Sequence, residues 1–156
     1  MRWPEDMPPE RAVVSVRNEI LIPAAPRRVW QWLCRAARWP EWYSNCAWVR
    51  FRSHSGPDLK LNTAFVWKTF GVRVRSLVRI FEPYREIGWD ATAFGLRAYH
   101  GWELEPIEDG CRVVTEEKQS GPLTTMGRWY LRRALRREHQ NWLESLRRMS
   151  ISGDPG

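Results

Sequence analysis

Between Cys46 and Gln119 hydrophobic side chains recur at every second position, and after Gly121-Pro122 the period switches to that of a helix. This switch constrains the fold more than any other feature, because a two-residue period builds strands and a three-to-four-residue period builds helices. Strands are predicted at 46–52, 61–70, 72–82, 86–94, 97–105 and 110–119. Gly71, Pro83-Tyr84, Gly95 and Glu108-Asp109-Gly110 supply turns. Most gaps are short, so neighbouring strands should be antiparallel. Residues 53–60, with Gly56-Pro57-Asp58, form a longer loop. Pro122 suits a first helical turn. Leu131, Leu135, His139, Trp142, Leu146 and Met149 then make one apolar stripe. A helix of about 27 residues is ~40 Å long at about 1.5 Å per residue.

Upstream, Val14, Val16, Ile20 and Ile22 alternate with Ser15, Arg17 and Glu19, which predicts another half-buried strand, interrupted on its apolar side by Asn18. Pro23 and Pro26 end it. Val29, Trp30, Leu33 and Cys34 recur at helical spacing, and Trp39-Pro40-Glu41-Trp42-Tyr43 opens a second short helix. Residues 1–12 and 150–156 read as flexible tails around a domain at 13–149. The element order is strand, two short helices, six strands and one long helix. It predicts an α+β domain with a curved seven-stranded antiparallel sheet wrapped around the long helix, which alone is large enough to cover the sheet. A curved sheet and a narrow helix leave a gap at one end that a ligand can occupy.

The 156 residues suit a single domain. No window is apolar enough for a transmembrane helix, and the first residues lack the apolar run of a secretory signal. A cytoplasmic location is therefore expected. Cys34, Cys46 and Cys111 are an odd number without paired spacing, as expected of reduced thiols. His54, His100 and His139 are scattered in sequence, so no metal is expected, and no cofactor motif is present.

Ile22-Pro23-Ala24-Ala25-Pro26 with Val29-Trp30 forms a strand-to-helix junction, Trp39-Pro40-Glu41-Trp42 a second helix, Ile87-Gly88-Trp89, His100 to Pro106 and Gly110 to Glu117 the last three strands, and Gly121-Pro122 opens the final helix. In this order the motifs resemble the helix-grip fold of the START-like, or SRPBCC, superfamily, within it the polyketide cyclase/dehydrase and lipid-transport group. The resemblance implies binding or transport of a small hydrophobic ligand, lipid or polyketide-like, or else cyclase/dehydratase chemistry. Fold does not choose between them.

Alternation assigns the inward face. Phe65, Trp67, Ser76, Val78, Trp89, Ala91, Trp102 and Thr115 are expected to line the ligand space, roofed by Leu131 and Leu135. Each aromatic equally fits a plain core role. His100 and Glu117 are the sharper candidates, because inward polar groups need a partner or a ligand. Across adjacent strands they would form an acid–base pair, a ligand anchor, or a hydrogen-bonded pair without chemistry.

Residues 122–149 carry seven arginines against two glutamates, most of the chain's net charge of +7. Arg128, Arg132 and Arg136 share a face. That face is either simply solvated or attracted to an anionic membrane surface. No groove-reading motif points to nucleic acid, and the exposed edge strands allow a monomer or a homodimer.

Overall fold

The computed structural model describes residues 1–156. Seven strands form one antiparallel sheet: β1 (Val14–Ile22), β2 (Cys46–Phe51), β3 (Ala64–Thr69), β4 (Val72–Glu82), β5 (Glu86–Ala93), β6 (Leu96–Ile107) and β7 (Gly110–Ser120). Their spatial order is β1-β7-β6-β5-β4-β3-β2. Helices α1 (Pro26–Cys34) and α2 (Trp39–Trp42) follow β1, and α3 (Pro122–Ser152) closes the chain. This is the helix-grip arrangement that the hydrophobic period implied.

The register places the inward side chains in rows. Val78, Trp89, His100, Glu117 and Val16 face one another across β4, β5, β6, β7 and β1. The next row holds Phe65, Ser76, Ala91, Ala98, Gln119 and Val14. A bulge between Val78 and Ile80 re-aims β4 beyond this point. The α3 helix lies along β1. There Asn18, the break in the apolar side of that strand, donates from Nδ2 to the Arg136 carbonyl and to Gln140 Oε1, each at 3.1 Å.

Several boundaries differ from the sequence reading, most of them by one residue and a few by more. β3 starts at Ala64 rather than 61, because Asn62 adopts a left-handed φ of 62° that a strand cannot use. β6 continues to Ile107, paired with Gly110 of β7. The long helix has 31 residues instead of about 27, running through Ser152. The residues after it are not a loose tail. Trp32 Nε1 donates to the Gly153 carbonyl at 2.7 Å, Arg28 pairs with Asp154, and the Arg38 guanidinium donates to the Pro155 carbonyl.

Residues 1–12 also differ from a free tail. Arg2 pairs with Glu82 and Glu86, Asp6 pairs with Arg79, and the Trp3 ring lies 5.2 Å from Tyr99. They cover the outer face of the sheet, where Tyr99 is buried against Gly88. A Cβ at Gly88 would sit 1.9 Å from the Tyr99 hydroxyl, so this close approach needs glycine.

Candidate functional site

The inner space holds a packed aromatic cluster with one polar island. Trp39 comes from α2, Trp67 from β3, Trp89 from β5, Trp102 from β6 and Trp142 from α3, and all are buried. Trp142 lies 5.0–6.3 Å from Trp39, Trp67, Trp89 and Trp102, and stacks on Tyr43 at 4.3 Å. Trp39 and Trp67 satisfy their indole N–H groups, on the Leu33 carbonyl and on Ser76 Oγ. Trp89, Trp102 and Trp142 do not: their buried Nε1 atoms have no acceptor in the protein.

The polar island is His100, Thr115, Glu117, Gln119 and His139. His100 and Glu117 are direct cross-strand neighbours. The fold adds His139 from α3, whose ring centroid lies 4.6 Å from that of His100. Two histidines far apart in sequence therefore meet over one carboxylate. His139 Nε2 donates to Glu117 Oε2 at 3.0 Å, and Gln119 Nε2 donates to Oε1 at 2.5 Å. His100 Nδ1 faces Oε2 at 3.4 Å. Thr115 Oγ1 donates to the Gly101 carbonyl at 3.3 Å and lies 2.6 Å from His100 Nε2.

Electrostatics follow from this packing. Burial, reinforced by neighbouring His139, pushes His100 down to about 3, so it is neutral at ordinary pH. Burial alone would raise the Glu117 pKa. The donors from His139 and Gln119 and the neighbouring imidazoles outweigh it and hold the carboxyl well below the usual carboxylate range. The site is a buried anion with its hydrogen bonds largely satisfied, as a buried charge must be.

His100, Glu117 and His139 offer two ring nitrogens and a carboxylate oxygen within 4.8 Å of one another, a donor set that suits a first-row divalent ion. In this arrangement the same atoms are turned toward one another. His139 Nδ1 remains without a partner.

The expected ligand-lining residues divide into two groups. Phe65, Trp67, Ser76, Val78, Trp89, Ala91, His100, Trp102, Thr115 and Glu117 are buried on the inner face. Leu135 is not at the aromatic wall. It packs with Val14 and Val16 at the β1 side, and Leu131 one turn earlier is only half-buried. The Ser76 hydroxyl accepts from Trp67 Nε1 at 3.2 Å. Sequence reasoning placed His139 and Trp142 in the apolar stripe and Trp39 in the second short helix without assigning them to the site, and it did not single out Gln119. The signals were a histidine inside an apolar stripe and a glutamine two residues beyond Glu117 on the same face.

A family model described as polyketide cyclase / dehydrase and lipid transport matches residues 13–150. The chain belongs to this family. Its SRPBCC-type fold accounts for the curved sheet and the long helix packed against it. Among solved structures, the hypothetical protein jhp0584 from Helicobacter pylori is 29% identical, with a TM-score of 0.88 over 96% of this chain and 95% of that one. The di-domain ARO/CYC protein StfQ from the steffimycin biosynthetic pathway is 16% identical, with a TM-score of 0.76 over 92% of this chain. This chain spans about half of StfQ, 52% of its length. The protein TTHA0849 from Thermus thermophilus is 17% identical, with a TM-score of 0.72 over 88% of this chain and 97% of that one. No curated protein sequence matches this chain. No helix of this family member is long and apolar enough to cross a membrane.

Proposed function

We propose that this protein binds a small, largely apolar, polyketide-like molecule between the sheet and α3, and that the His100–Glu117–His139 cluster anchors a polar group of that ligand. One observation carries the reading: the N–H groups of Trp89, Trp102 and Trp142 are buried without acceptors around that cluster. A buried donor left unpaired costs about 1–3 kcal/mol. A flat ligand bearing carbonyl or phenolic oxygens offers both aromatic contact and the acceptors these donors lack. The indole rings are in mutual contact, so the ligand is admitted by their rotation. The ARO/CYC proteins of similar fold are consistent with such a ligand.

The second reading is an acid–base enzyme using His100 and Glu117, which the geometry favours by setting them side by side. Their protonation behaviour weighs against it. General acid–base catalysis works best with groups poised near the operating pH. His100 and Glu117 are both driven well below neutrality. Anchoring is therefore the preferred role.

Native mass spectrometry of gently purified protein is expected to show a co-purifying aromatic or polyketide-like species. Titration calorimetry should show tighter binding of oxygenated planar aromatics than of saturated fatty acids. Trp102→Phe and Trp142→Phe keep the apolar ring and delete the donor, and each is expected to weaken oxygenated ligands about fivefold, for a hydrogen bond of about 1 kcal/mol. Equal affinity for both ligand classes, or no binding of either, would sink the proposal.

A further inference from the structure

A different region of the molecule presents apolar side chains outward. Phe94 is 94% exposed, Met126 85%, and Trp129 and Tyr130 78% each, with Leu123 also exposed. Single exposed apolar residues are ordinary, but a contiguous set marks a contact site. These are contiguous. Phe94 lies on the β5–β6 turn, and Leu123 on α3 touches that turn: its amide approaches the Gly95 carbonyl at 3.4 Å, and its side chain fills the space beside Gly95. Met126, Trp129 and Tyr130 follow at three- and four-residue spacing, on one side of the helix. The topology adds the β3–β4 turn at the same end of the sheet, where Phe70 and Val72 are also exposed.

Charge surrounds this patch. Arg128, Arg132, Arg133, Arg136 and Arg137 are all exposed, and no acidic residue occurs between Gly121 and Arg137. Among these arginines only Arg137 forms an ion pair within the protein, with Glu138. The remaining four are uncompensated. Two features fit a lipid surface better than a protein groove. The apolar groups project from a helix and from turns rather than lining a concavity. They also include Trp and Tyr, the side chains that favour the membrane–water interface, beside arginines that favour anionic headgroups.

We infer that the N-terminal half of α3 and the β5–β6 turn form a docking surface for anionic membranes, with Trp129, Tyr130, Met126 and Phe94 entering the interface and Arg132 and Arg133 pairing with headgroup phosphates. This goes beyond the ligand site and does not depend on it. None of these side chains belongs to the His100–Glu117–His139 cluster.

Co-sedimentation of the full chain with phosphatidylcholine vesicles, with and without phosphatidylglycerol, tests it at low and high salt. Binding is expected only with phosphatidylglycerol, and is expected to fall at high salt. Trp129→Ser with Tyr130→Ser should abolish it. Arg132→Gln with Arg133→Gln should weaken it about 30-fold, as two arginines near a charged surface contribute about 1 kcal/mol each. All four positions are exposed, so the melting temperature should hold, and a variant that keeps its melting temperature but loses vesicles supports docking. Three results would overturn the inference: no difference between the two vesicle types, a Trp129/Tyr130 variant that binds like the parent, or binding of a single-stranded oligonucleotide through Trp129 and Tyr130 with neither vesicle type bound. The last would assign the patch to nucleic acid through aromatic stacking.

Discussion

The two halves of α3 carry comparable apolar side chains in opposite surroundings. From Ala134 onward, Leu135, Trp142, Leu143 and Leu146 are buried, and His139 is drawn inward with them. Before Ala134, Met126, Trp129 and Tyr130 point to solvent, and Leu123 is partly exposed beside the β5–β6 turn. One half is the lid of the core; the other extends its apolar side chains away from it. An apolar stripe on a helix therefore reports a need for a partner, not which partner meets it. In the C-terminal half the partner is the sheet of the same chain. In the N-terminal half it is, by our inference, a lipid surface.

Substitutions separate the halves. Trp142→Ala should have the largest effect, about 3–5 kcal/mol of stability, because the indole contacts four other tryptophans and leaves a cavity. Chemical denaturation measures it, and a loss below about 1 kcal/mol would mean that the lid is loosely packed.

Acidification should next strain the polar island of the sheet that this half covers. His100 has an ordinary value of 6.5 and is held near 3 in the folded protein. Below pH 6.5 the unfolded chain binds a proton that the folded one refuses. The stability present above that pH is lost as pH falls toward 3, by up to about 1.4 kcal/mol per pH unit. Melting temperatures measured between neutral pH and that value should fall less steeply in His100→Asn than in the parent. Identical slopes would show that His100 titrates normally.

Glu117→Gln should cost less, about 1–3 kcal/mol, by setting an amide against the donors of His139 and Gln119. A variant as stable as the parent would indicate that the buried charge gains nothing from them. Trp129→Ser should change stability by at most about 0.5 kcal/mol. A larger loss would place Trp129 in the packed half after all.

The sheet was readable because alternation leaves little freedom. Once His100 and Glu117 fall on inward positions of adjacent strands, short turns fix their pairing. The helix was less readable. Its stripe placed His139, Trp142 and Leu146 on one side but did not say which rows of the sheet lay beneath. Bringing His139 to Glu117 depends on how α3 sits along β1, and Asn18 makes part of that contact through the Arg136 carbonyl, a backbone partner that no residue pattern records. The segment after the helix was misread for a related reason. Gly153 to Pro155 are held by Trp32, Arg28 and Arg38 on α1 and the turn after it, more than a hundred residues away in sequence. Backbone carbonyls of a Gly-Asp-Pro segment look unanchored until the fold delivers such partners.

The crowding around Trp39 has an optical consequence. Its ring lies within 5.1–5.6 Å of Trp67, Trp89 and Trp142. Indoles this close share excitation, so the buried cluster absorbs as a coupled array and should give the folded protein strong near-ultraviolet circular dichroism that vanishes when packing is lost. Trp129 stands apart in solvent, where an indole is expected to emit at longer wavelength. Among the 11 tryptophans, the Trp39 cluster thus reports on the core and Trp129 on the outer surface of α3.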